Sequence, residues 1–240
     1  MTKGRLDITL TKQGIASSRS QAESWVRLGK VTVDGKTVTK PGHFVSESAI
    51  LKLQADEQYV SRAGLKLASV AKLLKLDFRS KTVLDVGSST GGFTDYALKH
   101  GAKKVYAVDV GTDQLHPSLQ GHPLIELHEK TDIRDFSLKD KPDIIVIDVS
   151  FISLREILPH IAKHLSGKNT QIAAMLKPQF EAGREQTNKG VIKNDAVRRQ
   201  ILKDFEIWAK QYFVIKDKRD SDVHGAKGNQ ERFYLLRRSG

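Results

Sequence analysis

The sequence predicts an α/β protein: a doubly wound, mostly parallel, seven-stranded sheet behind a small N-terminal α+β unit. Three observations lead there. From Lys66 onward, short runs rich in Val, Ile and Leu alternate with amphipathic stretches, the rhythm of strands joined by crossover helices. The stretch LDVGSSTGGFTDYALKHG (84–101) reads as a strand end, a glycine-rich turn and a helix start, the local form of a cofactor-holding turn. Residues 5–53 follow a different rhythm, with helical spacing first and a hairpin after it.

In the first unit, Leu6 and Leu10, then Ala22, Trp25 and Val26, have helical spacing, and Gly14 and Gly29 sit where helices stop. Val31 and Val33 alternate ahead of an Asp34-Gly35 turn, a hairpin signal, and AILKL (49–53) closes the unit. The chain therefore divides into a head at 1–55, a linker at 56–65 and a large unit at 66–240. In the large unit, LKLASVAKLLKL is an amphipathic helix. The strands are TVLDVG, KVYAVDV, LIELHE, DIIVIDVSF and QIAAMLKP. A long helix runs from Asn194 to Lys210, and YFVIKDKR and RFYLLRR form a closing antiparallel pair.

Composition narrows the chemistry. There is no cysteine, which excludes disulfides, thiolate metal sites and a cysteine nucleophile, and no metal site is expected. The formal net charge of +12 favours a polyanionic partner, most simply nucleic acid. Residues 1–40 hold eight Lys/Arg against three acids, so the head is densely basic. The opening MTKGRLDITLTKQG has no apolar run, and no segment approaches the roughly 20 apolar residues that span a bilayer, so a cytoplasmic protein without a membrane partner is expected.

The glycine turn lacks the Gly-Lys-Ser/Thr of a phosphate loop, and Gly87, Gly91 and Gly92 miss the dinucleotide spacing. Asp85 decides among the remaining ligands. Its carboxylate would repel phosphates and suits a cationic group, such as the sulfonium and ammonium of S-adenosylmethionine. That assigns Asp85, Gly87, Ser88, Ser89, Thr90, Gly91, Gly92 and Phe93 to the cofactor. Asp109, ending the next strand about 20 residues on, is placed for ribose hydroxyls, and Asp132, ending the one after, for the adenine amino group. A purely structural turn is the alternative.

The acceptor should sit at the carboxyl edge of the sheet. The fourth strand ends in Asp148-Val149-Ser150-Phe151, not the Asn/Asp-Pro-Pro-aromatic of amino-directed methyltransferases, and cytosine carbon-5 chemistry needs the missing cysteine. Hydroxyl methylation remains. A ribose hydroxyl is a poor nucleophile that needs a base, or cations that orient its lone pair. Lys66, on the helix before the first strand, and Lys177, ending the fifth, are the candidates. Asp148, also beside the cofactor, could orient one lysine, and Glu231, opening the last strand, could hold the other.

Lys66, Asp148, Lys177 and Glu231 match the Lys-Asp-Lys-Glu tetrad of FtsJ-like RNA ribose 2'-O-methyltransferases. Nearly the whole chain resembles the TlyA, or hemolysin A, family, in YVSRAGLKL, LDVGSSTGGFTD, DVSFISL and LKPQFE among other motifs. The resemblance implies 2'-O-methylation of cytidine in ribosomal RNA, at a large-subunit site shared across the family and a small-subunit site used by some members. It implies S-adenosylmethionine as cofactor, ribosomal RNA or subunits as partner, and a monomer or weak dimer. The head resembles the alpha-L RNA-binding fold, and Arg5, Arg19, Arg27 and Lys30 can line one face of its helical pair for phosphates, with Arg62 of the linker a further RNA-contact candidate. Asp7, in GRLD, reads as a helix-cap residue. Two other functions stay open: an RNA-binding assembly factor with little catalysis, and a cytolysin, as the family's older name says.

Overall fold

The computed structural model describes residues 3–16, 19–27, 29–53, 59–182, 190–192, 194–225 and 228–239. It divides into two compact units, Met1–Arg62 and Ala63–Gly240. Part of the expected linker, residues 56–58, lies outside the described residues.

In the first unit, β1 (Lys3–Arg5) leads directly into α1 (Leu6–Lys12), and α2 (Arg19–Arg27) follows. The hairpin of β2 (Val31–Val33) and β3 (Lys36–Thr37) turns at Asp34 and Gly35, both with positive φ (49° and 79°), the twist that suits a two-residue hairpin. AILKL supplies β5 (Leu51–Leu53), which pairs antiparallel with β2. A second pairing, β1 with β4 (Phe44–Ser46), was not expected, because three-residue strands carry too little alternation to be read. Leu6, Leu10, Ala22, Trp25, Val26, Val31 and Val45 form the unit's own core.

Helix α3 spans Arg62–Ala71, all but its first residue in the second unit, and ends in turns at 72–75. It therefore starts before the expected helix and takes in residues 62–65 of the expected linker. Seven strands follow: β6 (Thr82–Val86), β7 (Lys104–Val108), β8 (Ile125–His128), β9 (Ile144–Ile147), β10 (Gln171–Leu176), β11 (Phe213–Asp220) and β12 (Arg232–Arg238). Their order in the sheet is β11-β12-β10-β9-β6-β7-β8. The pairs from β10 through β8 are parallel, and β12 is antiparallel to β10 and β11.

Helices α4 (Gly92–Lys99), α5 (Leu154–His160), α6 (Pro178–Glu181) and α7 (Asp195–Ala209) connect the strands. Asn194 caps α7 by accepting from Ala196 N at 2.8 Å. The sheet is central: Ile144 to Ile147 and Ile172 to Leu176 are almost fully buried, as strands covered on both faces must be. Successive strands leave β6 in opposite directions, toward β7 on one side and β9 on the other, so a crevice opens at their carboxyl ends.

Candidate active site

The glycine turn lies in that crevice. Gly87 has φ +79°, and a Cβ there would stand 2.9 Å from the Asp148 carbonyl oxygen. Only glycine lets the turn after β6 press against the residue after β9. Gly91, the left-handed N-cap of α4, and Gly92, its first residue, line neither cavity described below.

Asp85 is buried at the base of the turn. Thr94 Oγ1 donates to one carboxylate oxygen at 2.7 Å, while the other has no hydrogen-bond partner among the described residues. Burial pushes its pKa up to about 7, the nearby charges of Asp148 and Asp109 adding to the rise and the Thr94 bond opposing it. A small cavity of about 130 Å³ opens onto Asp85, lined also by Ser88, Thr90, Phe93, Asp148, Ser150 and Lys177. A larger one, about 430 Å³, shares Gly87, Ser89, Asp148 and Ser150 with it and extends past Asp109, Val110, Asp132 and Ile133. Together they offer the volume and mostly apolar walls of a small-molecule site, with acids at defined points.

Asp109 is held in place by two backbone donors, Ser89 N at 2.8 Å and Gly111 N at 2.7 Å, one to each oxygen. Asp132 is gripped by Arg134, whose Nη2 lies at 2.6 Å, and this guanidinium keeps the carboxyl below its usual range. Both acids line the larger cavity; each Asp109 oxygen accepts one backbone bond, while both Asp132 oxygens are already engaged by Arg134. The donor set fits S-adenosylmethionine: a buried unpartnered carboxylate oxygen for a cation, and carboxylates for hydroxyl and amine donors. No group of His, Asp or Glu placed to hold a metal ion occurs among the described residues.

The four tetrad residues meet in two ion pairs. Lys177 Nζ is 2.5 Å from Asp148 Oδ1, and Lys66 Nζ is 2.5 Å from Glu231 Oε2. Register explains the convergence. Leu176 of β10 faces Arg232 of β12, so Lys177 and Glu231 extend the same rung one step beyond the sheet. Asp148 follows Ile147, which is paired with Val86 of β6 and Ala174 of β10. Lys66 is one turn after Ala63, a lining residue of the small cavity, on α3. Lys66, Lys177 and Glu231 are all buried or nearly so, which strengthens each pair relative to a surface one.

Several residues of the site were missed by the sequence reading. Ser150 Oγ accepts from Lys177 Nζ at 2.8 Å, giving the lysine a second anchor. Phe151 is 91% exposed, holds a left-handed backbone (φ +65°), and meets Phe180 with ring centroids 5.2 Å apart. An exposed phenylalanine in that conformation is an outlier of the kind that gathers at ligand sites. Glu181 accepts from Ser153 Oγ at 2.6 Å and Leu154 N at 2.7 Å, tying the end of α6 to the start of α5. Only DVSF and KPQFE, as motifs, pointed to these residues.

In the head, Asp7 is not a cap. The N-cap position of α1 is Arg5, and the Asp7 side chain is buried. It accepts from Arg5 Nε (3.0 Å) and Nη2 (2.9 Å) and from Arg19 Nε (2.9 Å). The Arg5 guanidinium in particular lowers its pKa to about 2. Two of the five RNA-contact candidates thus spend donors on an internal carboxylate, because a buried charge demands partners before a solvent-exposed one does. Arg27 is exposed and Lys30 partly so, and neither makes an ion pair among the described residues; Arg62 is the first residue of α3.

Residues 59–238 match the FtsJ-like methyltransferase family, and residues 4–51 match the S4 domain. Hemolysin A of Brachyspira hyodysenteriae is 38% identical over 95% of this chain and 97% of its own. The 16S/23S rRNA (cytidine-2'-O)-methyltransferase TlyA of Mycobacterium tuberculosis is 34% identical over 98% of this chain and 90% of its own. A solved structure from Streptococcus thermophilus, provisionally named a hemolysin, superposes with a TM-score of 0.75 at 38% identity, covering 100% of this chain and 90% of that one.

Proposed function

This chain belongs to the TlyA/hemolysin A family of FtsJ-like methyltransferases with an S4 domain, and from that premise we propose that it methylates the ribose 2'-hydroxyl of a cytidine in ribosomal RNA. The observation that carries this reading is the pair of lysine–carboxylate contacts at the carboxyl edge, beside a cavity floored by Asp85. S-adenosylmethionine, when bound, supplies the methyl group as an electrophile on sulfur.

Asp85 and the Gly87–Phe93 turn would receive its cationic end, and Asp109, Val110, Asp132 and Ile133 its nucleoside. Lys177 Nζ, fixed between Asp148 and Ser150, meets the attacking hydroxyl, as the base that takes its proton or as the cation that aims its lone pair. Lys66 and Glu231 hold the acceptor ribose. Phe151 offers an exposed ring at the mouth of the site, suited to stacking on a base displaced from its neighbours. Arg27 and Lys30 of the head supply phosphate contacts, with Arg5, Arg19 and Arg62 contributing the donors their own contacts leave over. The acting species is a monomer or weak dimer in the cytoplasm, where ribosomal RNA is found.

Nothing in the site favours a cytolysin, and no helix among the described residues is long and apolar enough to cross a membrane. The test is mass mapping of ribose methylation in ribosomal RNA incubated with the protein and S-adenosylmethionine. One added methyl on a cytidine ribose is expected, and lost with Lys177→Ala. RNA binding without methyl transfer would instead support an assembly factor.

A further inference from the structure

The crevice at the carboxyl edge accounts for one end of the sheet only. At the opposite end, where β10 begins at Gln171, a second cleft of about 330 Å³ lies between the end of α3 and the β11–β12 pair. Six residues of β10 separate it from Lys177, or roughly 20 Å at the usual rise of a strand. We propose that this cleft binds the phosphodiester backbone of the RNA substrate, away from the nucleotide that is methylated. The proposal rests on RNA being the substrate.

Three cations surround the cleft: Lys75, Lys216 and Arg237. All are exposed, and none makes an ion pair among the described residues. The one acid in the lining, Asp217, is already answered by Arg219 Nη2 at 3.1 Å and Lys218 N at 2.7 Å. The cleft is therefore a concentration of unneutralised positive charge, whereas Lys218 and Arg232 of the same strand pair are answered by Glu206 and Asp220.

Two backbone irregularities put those cations there. The β11–β12 register shifts between Ile215, opposite Leu236, and Asp217, opposite Leu235. Lys216 is the extra residue of that bulge, a device that re-aims a side chain. Lys75 has φ +53° where α3 ends, with Leu76 N bonded back to Ala71 O at 3.0 Å. Glycine is the favoured residue at such a helix end, yet a lysine stands there. Buried Leu74 and Leu235 give the cleft an apolar floor, against which lysine stems and ribose can both lie. Repeated charges along a strand fit three cations around an open cleft better than a single small anion does, and contacts of this kind position RNA without reading its sequence.

The test is equilibrium binding of wild-type protein and the triple variant Lys75→Gln/Lys216→Gln/Arg237→Gln to a protein-free large-subunit rRNA fragment over a range of salt. Each phosphate contact contributes about 0.7–0.9 to the slope of log K against log salt, so the triple variant should lower that slope by about 2–3. S-adenosylmethionine affinity, and turnover at saturating RNA, should stay at wild-type values. If the triple variant loses cofactor binding through misfolding, the singles Lys75→Gly and Lys216→Gln should each lower the slope by about 0.8. An unchanged slope in variants that keep cofactor affinity overturns the proposal. So does weaker binding to assembled subunits with an unchanged slope on bare RNA, which would point to an acidic protein partner. Wild-type protein that binds the fragment but transfers no methyl group would count against the proposed reaction, while the slope difference would still support the cleft.

Discussion

Cofactor affinity should rise with pH through neutrality, because Asp85 must ionise to receive a cation. In the free protein its carboxyl titrates at about 7 rather than near 3.8, since burial penalises the charged form and only Thr94 offers it a hydrogen bond. If only the carboxylate form binds, the competent fraction is about 0.03 at pH 5.5 and about 0.76 at pH 7.5. Affinity for S-adenosylmethionine should then increase about 25-fold over that interval, or about 1.9 kcal/mol. The sulfonium charge is permanent, the ligand's ammonium begins to lose its proton only near the top of the window, and no histidine among the described residues lines either cavity, so Asp85 dominates this window. Titration calorimetry at pH 5.5, 6.5 and 7.5, in buffers of different ionisation enthalpy, measures both the affinity and the proton released. Close to one proton should leave at pH 5.5 and about a quarter of one at pH 7.5. The free protein gives the opposite trend. A raised acid pKa means the unfolded chain binds fewer protons than the native one between about pH 4 and 7, so this group's contribution to stability falls as pH rises through that range. Asp85→Asn should bind weakly and without pH dependence. Wild-type affinity that is flat from pH 5.5 to 7.5, or that rises toward acid, would refute the reasoning.

Lys177→Ala should reduce methyl transfer by about 10²–10⁴-fold with cofactor affinity intact, as single-turnover assays would read. Lys177→Arg should fail as well if the lysine is a base, because a guanidinium stays protonated, and near-normal turnover would leave only the orienting role. Phe151→Ala should lower kcat/KM for RNA by about tenfold or more, the range of one lost stacking contact, with no change in cofactor binding. Asp7→Ala should destabilise the head by about 1–3 kcal/mol in urea unfolding. The wild-type contribution of Asp7, whose folded pKa of about 2 lies below the unfolded value of 3.8, should be present above about pH 4 and lost as pH falls through 2.

Much of this protein is legible in its sequence where the signal is local. The strand from Thr82, the glycine turn and the helix from Gly92 follow one another within 20 residues, and each has its own chemistry: a buried apolar run, positive φ, an amphipathic helical spacing. The same holds for the Asp34-Gly35 hairpin and for α7 with its Asn194 cap. Asp85 could be picked out because a carboxylate at that point selects against phosphate, whatever surrounds it. Pairings between remote segments were decided by the tertiary structure. Whether Asp148 takes Lys177 or Lys66 depends on which strands are neighbours, and β12 inserts between β10 and β11 to bring Glu231 to the end of β10. Asp7 looked like a cap because its sequence neighbours do not reveal that burial would draw in Arg19 from twelve residues away. Ser150, the bulge at Lys216 and the β1–β4 pairing were hidden for the same reason. Periodicity and turn chemistry report what a segment does with its own backbone; register, burial and the partner of a charge are settled only when distant segments compete for the same interior.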